Sequence, residues 1–233
     1  MQYRRVARIV LVMALVGCTS LPSRIERTDP TPKRIAEIHD LLVVAAVKIN
    51  GGTGVPFHEQ EGATYFLTAQ HVVGMEPVNY FAFYDADEHV FREGIGFTIV
   101  SDVSLDLAVV ACPMDGFELV SLLSDDAYLS DFTVGDLVMA AGWPGAKPAI
   151  TSVGSVRSPL YFEGARGPFL FHSASGWFGF SGGPVVDVRT GALVGITIEI
   201  RGAVGVWDSS QMIAVPIPIV RKFLRERFPL YGR

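Results

Sequence analysis

Three residues of this chain have the types and the order that acyl transfer needs. Ser181 sits in Gly179-Phe180-Ser181-Gly182-Gly183-Pro184, where flanking glycines let a turn offer both a hydroxyl and neighbouring backbone N–H groups to a reacting carbonyl. His71 closes the segment Phe66-Leu67-Thr68-Ala69-Gln70-His71, and Asp106 immediately precedes the apolar run Leu107-Ala108-Val109-Val110. A serine hydroxyl attacks well only when a base takes its proton, and an imidazole acts as that base only when a carboxylate fixes its tautomer. The order His, Asp, Ser is one in which this constellation occurs.

The glycines around Ser181 also fit G-x-S-x-G, a strand-to-helix elbow whose base follows the serine in sequence. The five histidines are His39, His58, His71, His89 and His172, so none lies beyond Ser181 and that reading has no base. Asp102 competes with Asp106 for the third position, but it lies outside the apolar run. His39, His58 and His89 stand beside acidic or turn residues and suit solvated or capping roles, and His172 is assigned a structural role. Neither H-E-x-x-H nor another paired metal-ligand spacing occurs, so no metal and no cofactor is expected.

Four segments in register carry a resemblance: Thr68-Ala69-Gln70-His71; Asp106-Leu107-Ala108-Val109-Val110; Gly142-Trp143-Pro144-Gly145 with Ile150-Thr151-Ser152-Val153-Gly154; and Gly179 to Val186 followed by Gly191-Ala192-Leu193-Val194-Gly195-Ile196. From about Leu41 to Val220 the chain resembles trypsin-fold serine proteases, in particular the bacterial HtrA-like branch. The resemblance implies Ser181 as nucleophile, His71 as base and then acid, Asp106 as its partner, and the N–H groups of Gly179 and Ser181 as the oxyanion hole. It also implies a primary pocket around Ser175, Gly176, Ile198, Glu199 and Ile200. No aspartate occurs between Phe169 and Phe180, so an apolar residue is expected before the scissile bond, with Glu199 able to restore some basic preference. The departure is Phe180, where relatives usually carry Asp or Asn. In secreted digestive relatives that acid pairs with a new amino terminus, so here the loop is expected to be ordered by packing of Phe180.

The elements that must position these residues read as short strands. Leu41–Ile49, Thr64–Thr68, Tyr80–Tyr84, Gly96–Val100, Leu107–Ala111, Leu137–Ala141, Ser152–Arg157, Phe169–His172, Pro184–Asp187 and Ala192–Ile200 are apolar or β-branched runs separated by Gly, Pro and Asp. A short helix is expected near Leu119–Leu123, and the spacing of Ile219, Val220, Phe223 and Leu224 predicts a helix within 216–228. The fold class expected is all-β: two six-stranded antiparallel β-barrels of the trypsin-like type, about 38–115 and 130–215, with a short C-terminal helix. The chain ends at Arg233, so the PDZ module common in HtrA-like proteins is not expected.

The first residues are a separate object. Arg4, Arg5 and Arg8 precede the apolar run Ile9–Gly17, too short to span a bilayer, and the pattern is that of a secretory signal over 1–17. Leu15-Val16-Gly17-Cys18 resembles a bacterial lipobox, which implies lipidation at Cys18 and stable anchoring by several acyl chains. Residues 18–37, rich in Pro, Ser, Thr and charge, read as a linker. Removing 1–17 takes away three arginines and no acid, so the net charge moves from −5 to −8 and nucleic acid is not an expected partner. The remaining cysteine, Cys112, follows an apolar run and reads as a buried small hydrophobe. The reading is a membrane-tethered serine endopeptidase of the cell envelope acting on protein or peptide. Its alternative is a protease-fold lipoprotein that binds such ligands without useful turnover.

Overall fold

The computed structural model describes residues 29–85, 90–145, 148–201, 211–228 and 230–231. The signal segment, Cys18, the first part of the linker and His89 lie outside them. The first barrel comprises β1 (Val47–Ile49), β2 (Gly52–Gln60), β3 (Ala63–Thr68), β4 (Val78–Asp85), β5 (Val90–Asp102) and β6 (Leu107–Cys112), closed in the order β1-β2-β3-β6-β5-β4. The second comprises β7 (Leu137–Gly142), β8 (Ile150–Glu163), β9 (Arg166–His172), β10 (Pro184–Asp187), β11 (Leu193–Ile200) and β12 (Met212–Pro216), closed in the order β7-β8-β9-β12-β11-β10. Both are antiparallel throughout, and closure leaves neither sheet with an open edge.

The expected all-β class therefore holds, with two local corrections. Leu41–Ala45, expected as strand, and Pro32–Glu37, expected as linker, form one helix, α1 (Pro32–Ala45). Thr31 caps it by accepting the Arg34 N–H at 3.2 Å, and Pro32 occupies its first turn. Ile38, Leu42 and Ala45 then fall on one buried face. A short apolar run reads equally well as strand or helix, and the deciding Thr-Pro start lay inside the segment assigned to the linker. The helix expected at Leu119–Leu123 is instead α3 (Asp125–Asp131), capped by the Ser124 hydroxyl on the Ala127 N–H at 3.2 Å. Leu122 makes a bridge to Leu193.

Two strands went unread, β2 and β12. Gly52, Gly54 and Pro56 make β2 look like a turn, yet its glycines mark close approach. A Cβ on Gly52 would lie 2.5 Å from Val72 Cγ2 and 2.7 Å from the Ser181 carbonyl oxygen. The first barrel buries Val47, Ile49, Phe66, Phe81, Val110 and Cys112. Burial alone pushes the Cys112 thiol up to about 11, so it stays protonated and inert. The final helix, α4 (Ile217–Arg227), buries Ile217, Val220, Phe223 and Leu224, and Arg221 and Arg225 pair with Asp125 of α3. Trp143 joins the halves: its indole N–H donates to the Ala46 carbonyl at 2.8 Å across the end of α1.

Candidate active site

His71 lies on a single helical turn, α2 (Gln70–Val73), directly after β3. Asp106 opens β6 from a turn in which its own φ is +54°, a left-handed conformation that Asp tolerates better than most residues. Its two oxygens both go to one residue: Oδ2 accepts from His71 Nδ1 at 2.8 Å, and Oδ1 accepts the His71 backbone N–H at 2.9 Å. The first bond leaves Nε2 as the basic nitrogen and the second fixes the position of the ring. That carboxylate hydrogen bond raises the His71 pKa, against the opposing effect of partial burial. His71 remains 46% exposed and Asp106 26%, so the imidazole can reach a substrate while its partner is half sheltered.

The competing carboxylate has other duties. Asp102 Oδ1 accepts the Ser104 hydroxyl at 2.6 Å, the Ser104 N–H at 2.9 Å and the Leu105 N–H at 3.1 Å, an Asx-type turn. Its other oxygen faces Arg227 of α4 at 3.6 Å. The Ser104 hydroxyl, chiefly, holds its carboxyl below the usual range. Asp102 thus folds the turn that presents Asp106.

Ser181 sits in the loop between β9 and β10, and both barrels hold that loop. The Ser181 carbonyl accepts the Thr53 N–H at 2.8 Å, and the Gly179 carbonyl accepts the Thr53 hydroxyl at 2.6 Å. The Thr53 oxygen in turn accepts the Trp143 N–H at 3.0 Å. From the second barrel, Gly182 N–H donates to the Thr197 carbonyl at 2.7 Å, and Thr197 N–H returns to Gly183 at 2.9 Å. Gly179 and Gly182 have φ of +100° and +81°, and a Cβ on either would collide with backbone, of Trp143 and of Thr53 respectively. A Cβ on Gly182 would also lie 2.8 Å from the Ala69 nitrogen, two residues before His71. The Ser181 loop therefore packs, across the seam between barrels, against the segment that carries His71. Among the described residues no backbone carbonyl accepts from the N–H groups of Gly179 and Ser181. Phe180 is fully buried, against Gly142 and with its ring centroid 5.9 Å from that of Trp177.

Of the residues expected around the primary pocket, Ile198 and Glu199 line a cleft of about 630 Å³ that opens beside His71 and Asp106. Ser175, Gly176 and Ile200 stand apart from that lining. The Ser175 N–H is held by Ser152 Oγ at 2.8 Å, Gly176 rests on the sulfur of Met212, and Ile200 pairs with Met212 across the sheet. Glu199 offers no loose carboxylate: it pairs with Arg201 at 2.9 Å and Arg166 at 3.5 Å. Thr53 is the site residue that sequence reasoning missed. His172 is fully buried on β9, neither ring nitrogen has a hydrogen-bond partner among the described residues, and burial pushes its pKa down to about 3. It is a neutral ring in the barrel wall.

Two facing barrels, with a histidine–aspartate pair on one and a glycine-flanked serine on the other, define the class of two-barrel peptidases. The chain belongs to the trypsin-like peptidase domain family, whose model matches residues 52–196. No curated protein matches it. Among solved structures it is similar to Deg5, at 20% identity and TM-score 0.65 over 82% of this chain and 94% of that one. It is also similar to the HtrA-type protease AlgW with a tripeptide, at 23% identity and TM-score 0.70, covering 82% of this chain and 62% of that one. A third similar structure is the Rv3671c protease in an inactive form, at 19% identity and TM-score 0.66 over 86% of this chain and 98% of that one.

Proposed function

We propose that the chain is a serine endopeptidase that hydrolyses peptide bonds through an acyl-enzyme. The observation that supports this reading is the doubly bonded His71–Asp106 pair, with a serine loop packed against the segment before His71 whose carbonyls are tied and whose Gly179 and Ser181 amides donate to no backbone carbonyl among the described residues. In the proposed cycle Ser181 Oγ attacks the scissile carbonyl while His71 Nε2 takes its proton. Gly179 and Ser181 N–H receive the developing oxyanion, each donor worth about 3 kcal/mol. His71 then returns the proton to the leaving amine, and water repeats the sequence to release the acid. A peptide substrate is consistent with the tripeptide named in the AlgW structure. Preference for an apolar residue before the scissile bond is supported by Met212, Ile198 and Ile200 near the expected pocket and by the neutralisation of Glu199.

The arginine-led apolar run ending at Cys18 supports a lipid-anchored protein of the cell envelope. Among the described residues no helix is long and apolar enough to cross a membrane. Cys18→Ser should abolish radiolabelled palmitate incorporation; label retained in the variant would overturn the anchor. The catalytic reading is tested with a fluorophosphonate probe, which needs an activated serine and a formed oxyanion hole together. Full-length chain should label, and Ser181→Ala and His71→Ala should not. An unlabelled wild-type chain that still binds peptides would leave a binding protein in its place.

A further inference from the structure

The cleft beside His71 is lined by apolar Leu105, Phe169, Ile198 and Val215, with exposed Val103 beside them, and by the charged Arg166 and Glu199, called its rim. The rim belongs to a closed ring of two carboxylates and two guanidiniums. Arg201 grips Glu163 with both terminal nitrogens, one at 2.6 Å, and reaches Glu199 with Nε at 2.9 Å. Arg166 closes the ring from the other side, at 3.2 Å to Glu163 and 3.5 Å to Glu199.

The two arginines are not equivalent. Arg201 makes three close contacts and is largely sheltered, whereas Arg166 is 59% exposed, makes one hydrogen bond at 3.2 Å and one ion pair at 3.5 Å, lies over the Phe169 ring, and itself lines the cleft. A guanidinium carries five N–H donors in a planar fork, and contacts of this length leave most of that capacity unspent. The acceptor side of the rim is in the opposite condition. Glu163 receives Arg201 bidentately and Arg166 besides, and Arg201 chiefly holds its carboxyl below the usual range. Glu199 has one oxygen on each arginine. What the rim still offers a ligand is hydrogen-bond donation with positive charge, beside an apolar lining suited to an aliphatic stem.

We propose that Arg166 selects substrates with an acidic side chain a few residues before the scissile bond, binding its carboxylate at the rim while the stem lies on the apolar lining of the cleft. The proposal rests on the peptidase reading for the direction of the chain, since that reading puts the pocket for the residue before the scissile bond around Ile198 and Glu199. The carboxylate would take the N–H donors that Arg166 leaves open, as a charge-assisted pair, while Arg166 keeps its contacts to the glutamates and Arg201 its own to both. Selection by an exposed pair is modest and sensitive to salt.

The test uses full-length chain and quenched peptides that differ only by Glu, Gln or Lys at the second, third or fourth position before the cleaved bond. At one of these positions Glu should exceed Gln in kcat/KM by about fivefold and Lys by more. The Glu/Gln ratio should fall towards one in Arg166→Gln, persist in part in Arg166→Lys, and fall in the wild type at 0.5 M sodium chloride. A Glu/Gln ratio near one at all three positions in the wild type, or a ratio untouched by both Arg166→Gln and salt, overturns the proposal. Anisotropy binding of the same labelled peptides to Ser181→Ala separates the two readings. Glu-selective binding without wild-type hydrolysis would sink the peptidase assignment and keep Arg166 as selector; hydrolysis without Glu selectivity would do the reverse.

Discussion

The two barrels share one strand order, and in each the connection that leaves the third strand carries a residue proposed for catalysis: His71 after β3 and Ser181 after β9. The two connections solve different problems. After β3 a single helical turn projects one side chain, and the carboxylate at the start of β6 ties both its ring and its backbone. After β9 a glycine-rich loop arranges backbone, with carbonyls fastened to Thr53 and Thr197 and, among the described residues, two amides that donate to no backbone carbonyl. One scaffold position thus supplies a side chain in the first barrel and a surface of amides in the second. The first depends on one ion-pair partner, the second on a network spanning both barrels.

The largest expected effect separates the two aspartates of the first barrel. Asp106→Asn should lower kcat by about 10⁴-fold, because with the amide oxygen accepting the His71 backbone N–H its NH2 group faces Nδ1 and donates to it, which moves the ring proton to Nε2. Asp102→Asn, which only loosens the supporting turn, should cost less than tenfold; equal losses in steady-state assays would refute the division of labour. The corresponding break in the second barrel is Thr53→Val, which strips the Gly179 carbonyl and the Trp143 N–H of their shared hydroxyl. The Trp143 N–H and the Gly179 carbonyl then keep only their mutual bond at 3.3 Å, so a loss of about 1 kcal/mol is expected, with a lower melting temperature and a kcat reduced severalfold. Thr53→Ser should recover most of both, and a Thr53→Val enzyme as fast as wild type would show that the loop orders itself.

Histidine titration sharpens the contrast further. The base must be neutral to accept a proton, and Asp106 raises the His71 pKa, so kcat/KM should rise with pH through a midpoint above 6.5. The same pairing favours the protonated ring, so its contribution to stability is complete below about 6.5 and is lost as pH climbs through the folded value. A midpoint at or below 6.5 in the pH–rate profile would contradict this. His172 has the opposite sign. Its folded pKa is depressed to about 3, so its neutral form contributes fully above about 6.5. Each unit of acidification towards 3 then costs up to about 1.4 kcal/mol. His172→Leu should therefore melt higher than wild type by a margin that widens from pH 7 to pH 5. A margin constant with pH would mean that the ring finds a proton acceptor on folding.

His71, Asp106 and Ser181 could be proposed from sequence because each stands near a strand end in a motif built by local chemistry: glycines for positive φ, a carboxylate before an apolar run. Most strands were readable for the same reason, as β-branched runs between turn residues. What escaped depends on distant contacts. Thr53 looks like any strand threonine until β2 lies against the loop before β10, 126 residues later along the chain from Thr53 to Gly179. The glycines of β2 imitate a turn because the cause of their smallness, the Ser181 carbonyl, comes from the other barrel. Helix α1 was hidden because its start signals lie in a polar segment and its buried face meets partners only in the folded molecule. The ring of Glu163, Arg166, Glu199 and Arg201 is likewise invisible before β8, β9 and β11 are side by side.

The shared fastening of the Ser181 loop has a mechanical consequence. Because Thr53 and Gly52 of one barrel form a wall of the nucleophile's seat in the other, the seat exists only while the two barrels are docked. A perturbation that parts them by even a hydrogen-bond length dismantles the oxyanion donors before it melts a single strand. Turnover is then a gauge of the seam rather than of either barrel, and should fade at lower denaturant concentration than the far-ultraviolet signal of the sheets.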